Sequence, residues 1–164
     1  MARGYSMTKM LFKTSTAPVL LILAMLAFGA SPARADRCDD LAAQLKSQID
    51  GVSVGKTAAN VIYLSHPAAK QLRLGCFSRT VSNELYAASD SRKPTPAFLG
   101  LVASATAIIF TIPKSDSLAG TTRCMKRMGF LRGDNVKTRY RRLDMQCTRT
   151  KTSSAISISR GKDE

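Results

Sequence analysis

Four cysteines, Cys38, Cys76, Cys124 and Cys147, constrain this chain more than any other feature, because their chemistry depends on where the chain folds. In an oxidising compartment an even cysteine number reads as structural disulfides; in the cytosol it reads as metal binding or catalysis. No two of the four stand at C-x-x-C spacing, and His66 is the one histidine. A zinc knuckle or a thioredoxin-like redox pair needs two cysteines within one turn or loop. The expectation is therefore no metal and no cofactor.

The N-terminus supplies the compartment. Ala17 to Ala30 is an uncharged apolar run, preceded by Arg3, Lys9 and Lys13 and followed by Ala33-Arg34-Ala35. A basic segment, a short apolar segment and a small-x-small triplet form a secretory leader, with cleavage between Ala35 and Asp36. The run is short of the roughly 20 residues a membrane-spanning helix needs. Asp36 and Arg37 precede Cys38, so a lipoprotein site does not fit. Residues 1–35 are thus read as a bacterial Sec-type signal peptide and 36–164 as one mature domain, periplasmic or secreted, with no transmembrane span. Four cysteines admit three pairings, and stapling each half locally favours Cys38–Cys76 with Cys124–Cys147. Loops of this length would each stabilise the fold by roughly 3–4 kcal/mol, a large share of the ~5–15 kcal/mol available to a domain.

Charge is distributed unevenly. Loss of the leader takes Arg3, Lys9, Lys13 and Arg34 from a net charge of +14, leaving the mature chain at +10. From Asp36 to Asp90 basic and acidic residues balance at six each, whereas Arg123 to Glu164 holds twelve basic and four acidic. A basic half beside a neutral half suggests an anionic partner; a solvated basic face with no ligand is the plainer alternative.

Periodicity outlines the mature domain. Cys38, Leu41, Ala42, Leu45 and Ile49 predict a helix from Asp36 to Asp50, stopped at Gly51. Val61 to Leu64 and the alternating Leu72, Leu74 and Cys76 predict a hairpin connected by Pro67 to Lys70; Glu84 to Ala88 predicts a third strand. Thr95 followed by Pro96 is a helix start. The uncharged stretch Thr95–Pro113 reads as a helix over Ala97–Ser104 and a buried strand over Ala107–Ile112, with one continuous helix as the alternative. Asp116 to Met128 predicts a helix with Leu118, Thr122, Met125 and Met128 on one face, and Arg132 to Asn135 a turn. The last thirty residues predict a hairpin pairing Leu143 with Ile158 and Met145 with Ile156, bulged near Arg141 and Arg142. The fold class expected is α+β: a small single domain with a mostly antiparallel sheet of five to six strands, covered on one face by two to three helices and stapled by two disulfides.

Two motifs nearly match known chemistry. Gly51-Val52-Ser53-Val54-Gly55 fits G-x-S-x-G, but that elbow follows a strand and needs an acid and a distant histidine. His66 lies only thirteen residues on, so a small serine hydrolase using Ser53 and His66 is a weak alternative. Gly51 to Thr57 is one residue short of a P-loop and stands in the wrong order for one; it reads as a Gly-rich turn between helix and sheet.

One constellation points to binding. Lys137, Arg139, Arg141, Arg142, Arg149 and Lys151 crowd the final hairpin, with Arg123, Lys126, Arg127 and Arg132 just before it. Arginine's planar fork pairs with phosphate or carboxylate through two points. Tyr140 alone does not make the stacking platform of a single-stranded nucleic-acid binder. The expected function is an exported, non-enzymatic binding protein with an Arg-rich anion-binding face. Its expected partners are a lipid headgroup, lipopolysaccharide, an acidic glycan or an acidic protein, and no intracellular nucleic acid. A structural or protein-interaction module of the envelope is the other reading.

Overall fold

A computed structural model describes residues 35–76, 82–129 and 132–160; the apolar run Ala17–Ala30, read above as part of a signal peptide, lies outside them. Helix α1 (Ala35–Gln48) buries Cys38, Ala42 and Leu45, three positions of the periodicity seen in the sequence. Strand β1 (Ser53–Ala58) follows, where the sequence predicts only a Gly-rich turn. All six of its residues are exposed, so no apolar alternation announces it; it exists through backbone pairing with β2 (Val61–His66). The ladder is irregular between Val54 and Thr57. There Gly55 approaches so closely that a Cβ would lie 3.0 Å from the Tyr63 carbonyl oxygen. Ala59 and Asn60, both at positive φ, make the two-residue hairpin turn whose twist matches the strands it joins.

β2 pairs with β3 (Ala69–Gly75), and β3 with β4 (Glu84–Ser89), all antiparallel. The β2–β3 connection is tighter than the expected Pro67–Lys70, because Ala69 already pairs with His66. After β4 the chain leaves the sheet through two helices, α2 (Pro96–Phe110) and α3 (Lys114–Arg127). The Thr95 hydroxyl accepts from the Phe98 amide at 3.1 Å, completing the start expected from Thr95-Pro96.

α2 corrects the expected helix-then-strand division: Ala107 to Phe110 continue the helix, and Thr111 ends it in a left-handed conformation (φ 55°) ahead of Pro113. β-branched side chains lower helix propensity only slightly. Burial of Phe98, Val102, Ala105, Ile109 and Phe110 against α1, α3 and β4 outweighs that preference. The one polar group on its buried side, the Thr106 hydroxyl, donates to the Val102 carbonyl at 2.7 Å.

α3 keeps half of the expected face: Met125 and Met128 are buried, but Leu118 and Thr122 are not. Ser117, Gly120, Thr121, Cys124 and Met125 are buried, whereas Leu118 is 39% exposed and Thr122 half-buried. Small residues face inward because the helix lies close on the sheet: a Cβ on Gly120 would fall 2.8 Å from Met145 Cε and 2.9 Å from Tyr140 Cδ1.

The chain returns as β5 (Asn135–Tyr140), β6 (Leu143–Arg149) and β7 (Ser154–Arg160). The bulge expected near Arg141 and Arg142 is instead a two-residue hairpin turn, with Tyr140 paired to Leu143 and Arg141 at φ 54°. β6 and β7 pair two residues out of the expected register: Met145 faces Ile158 and Cys147 faces Ile156. A four-residue loop, closed by the Thr150 amide on the Ser153 carbonyl at 2.8 Å, sets that register. The shift is even, so the apolar sets stay on one face.

Among the described residues the result is a seven-stranded antiparallel sheet in the order β1-β2-β3-β4-β7-β6-β5, one strand beyond the expected range, with three helices. The α2–α3 excursion lets the last strand lie beside β4 at the centre. Leu72, Leu74, Leu85, Ile156, Ile158, Met145 and Cys147 alternate onto one sheet face and share a single core with the helices. The pairing Cys38–Cys76 ties α1 to the end of β3, and Cys124–Cys147 ties α3 to β6, as the local-stapling reading expects. No helix among the described residues is long and apolar enough to cross a membrane, the Thr95–Pro113 stretch included.

Candidate anion-binding surfaces

The ten cations grouped by sequence divide among four places. Arg123, Lys126 and Arg127 lie on α3, where with Ser115, Leu118, Ala119 and Thr122 they line a shallow groove of about 570 Å³. The lining holds three cations, an apolar floor and no carboxylate. Arg127 is anchored by a 2.9 Å bond from its guanidinium to the Thr138 hydroxyl. Arg149 is on the same side of the sheet but half-buried, donating to the Met125 carbonyl at 3.3 Å. Its position below α3 makes it a brace for the helix.

Arg141 and Arg142 occupy the β5–β6 turn, and Arg141 pairs with Asp116 of α3 at 3.1 Å. Arg132 and Lys151 are exposed at the opposite end of these strands. There Arg92 bridges the two turns, donating to the Thr150 carbonyl at 2.8 Å and pairing with Asp134 at 3.3 Å. Lys137 and Arg139 point to the other sheet face, in a groove of about 410 Å³ shared with Asp144, Gln146, Ser157 and Ser159. Arg139 lies 3.8 Å from Asp144. Alternation along β5 is the cause: Val136, Thr138 and Tyr140 turn inward, so Lys137 and Arg139 turn outward. One run of sequence thus supplies cations to both faces.

The face without helices carries a feature the sequence did not single out. The Arg73 guanidinium sits 4.1 Å from the centroid of the Tyr86 ring, its register partner on β4. Among the described residues this half-buried side chain makes no hydrogen bond and no ion pair, and its Nε is buried without a partner. On the next strand outward Tyr63 pairs with Arg73, and Lys56 Nζ lies 5.4 Å from the Tyr63 centroid. Alternation between Leu72 and Leu74 turns Arg73 outward in the sequence; its meeting with Tyr86 requires the β3–β4 register.

Ser53 and His66 are engaged separately. The Ser53 hydroxyl is 2.6 Å from that of Ser65. His66 Nδ1 accepts from the Ala68 amide at 3.0 Å, so the proton sits on Nε2, which donates to the Asp50 carbonyl at 3.0 Å. Both ring nitrogens serve the turn, and neither is directed at Ser53. Set beside family models, curated proteins and solved structures, the chain matches none.

Proposed function

We propose that this chain is an exported, non-enzymatic binding protein that holds an anionic amphiphile of the cell envelope, a lipid headgroup with part of its acyl chain, against α3. The observation that supports this reading is the α3 groove, where Arg123, Lys126 and Arg127 surround Leu118 and Ala119 with no carboxylate in the lining. Cations near an anionic surface contribute about 1 kcal/mol each, and the apolar floor adds hydrophobic contact. The Cys124–Cys147 bridge holds the helix in place on β6, so the groove is rigid before the ligand arrives. The leader-like N-terminus and the two disulfides suit an oxidising destination.

Flotation with phospholipid vesicles tests the reading. The chain should bind vesicles containing phosphatidylglycerol and not purely zwitterionic ones, and binding should fall as salt rises. Arg123→Gln with Lys126→Gln should weaken it by about 2 kcal/mol, roughly thirtyfold, and Leu118→Ser should weaken it further. Equal binding to both vesicle types, or binding unchanged in the double variant, would remove the proposal.

A further inference from the structure

We infer that the open face of the sheet is a second binding site, for an acidic polysaccharide whose chain runs across the strands; this does not rest on the α3 groove. The register carries one row of side chains over that face: Tyr63, Arg73, Tyr86, Ser157, Gln146 and Lys137 are successive partners on β2, β3, β4, β7, β6 and β5. Lys56, at the β1 irregularity, adds a cation over Tyr63.

Arg73 is the centre of the row. A half-buried guanidinium with a buried, unpartnered Nε is poorly hydrated, and stacking on Tyr86 holds its planar fork in place. Glu84, the carboxylate of the adjacent row, is turned instead to the Ser157 hydroxyl. The chemistry that completes such a group is an oxyanion able to accept two N–H donors, and a carboxylate fits.

The spacing selects a polymer over a small anion. The row is open rather than enclosed, and its first two cations stand two strands apart, Lys56 on β1 and Arg73 on β3. Neighbouring strands are about 4.8 Å apart, so these two cations are separated by roughly 10 Å across the sheet. One strand spacing is close to the length of one pyranose unit in an extended β-linked chain. A polysaccharide with a carboxylate on every second sugar therefore presents acids at the spacing of Lys56 and Arg73. The neutral sugar between the two acids falls beside Tyr63, which is 38% exposed and has Lys56 over one ring face. Beyond Tyr86 the row continues with Ser157 and Gln146, which donate to Glu84 and Asn135 and keep their oxygens as acceptors for sugar hydroxyls. A nucleic-acid strand fits less well: each tyrosine already has a cation against a ring face, so the row is not a run of bare stacking surfaces.

The test uses the chain with both disulfides formed and hyaluronan, an alternating carboxylated polysaccharide, as probe. Affinity electrophoresis should show retardation by hyaluronan and none by neutral dextran. Arg73→Gln should weaken binding by roughly tenfold or more, the usual scale for loss of a charged hydrogen-bond donor. Arg73→Lys should restore only part, since it keeps charge but not the two-point fork. Amide shift mapping on the unmutated chain provides a readout independent of variant folding: hyaluronan should perturb β2, β3 and β4 around Tyr63, Arg73 and Tyr86. Shifts confined to α3, equal retardation by polyglutamate, tighter binding of oligothymidylate, or no retardation by hyaluronan would each overturn the inference.

Discussion

On one face of the sheet Leu85, Ile156 and Ile158 are sealed beneath the helices; one residue away along the same strands, Tyr86, Ser157 and Ser159 remain partly open to solvent. Both faces are built by the same backbone ladder, yet their chemistry has little in common. The covered face is apolar, and both cystines lie on its side, so its role is to hold the domain together. The open face contributes little apolar burial and can therefore carry a group as unfavourable as Arg73, which the structure leaves without a hydrogen bond among the described residues. A polar side chain kept at such a position is more informative about binding than the larger number of cations elsewhere. Many of those already act on the protein itself: Arg127 on Thr138, Arg149 on Met125, Arg141 on Asp116.

The sharpest way to break this contrast is a pair of neighbours. Ile158→Ala on the covered face should lower unfolding stability by about 4 kcal/mol through lost burial and the cavity left behind. Ser159→Ala on the open face should change it by less than about 0.5 kcal/mol. Similar urea midpoints for the two variants would show that the faces do not divide the work in this way. Next in size, replacing Cys124 and Cys147 together with alanine should cost about 3 kcal/mol through loop entropy regained by the unfolded chain. Melting with and without reductant checks it, and the variant should lose its reductant sensitivity at this bridge. The smallest effect is expected at the groove: Leu118→Ser, at a side chain 39% exposed, should shift stability by less than about 0.5 kcal/mol while reducing vesicle binding. A large loss of stability there would place Leu118 in the core and dissolve the groove.

Much of the architecture is legible from local pattern. Cys38, Ala42 and Leu45 announce α1; Leu72 and Leu74 announce β3; Thr95-Pro96 marks the start of α2. What escapes is whatever depends on partners distant in the chain. β1 has no apolar side to reveal it and forms only because β2 offers a ladder. Ala107 to Phe110 carry a strand-like composition, but the space between α1, α3 and β4 admits a helix. On α3 the apolar spacing places Met125 and Met128 inward as expected, but close packing turns Leu118 out, because Gly120 and Thr121 leave room for Met145 and Tyr140. The candidate sites follow the same rule. Clustering in sequence groups Lys137 with Arg127, and strand alternation puts them on opposite sides of the sheet.

The amino-acid sequence sufficed for the α+β class and the one-sided sheet, because both follow from short-range periodicity; it left three cysteine pairings open, and the fold selects Cys38–Cys76 with Cys124–Cys147. Tertiary structure alone decided the strand order, the β6–β7 register and the meeting of Arg73 with Tyr86. These depend on which strands become neighbours, and that is settled by how the α2–α3 excursion packs, a long-range balance of burial and loop closure that no local window of residues contains.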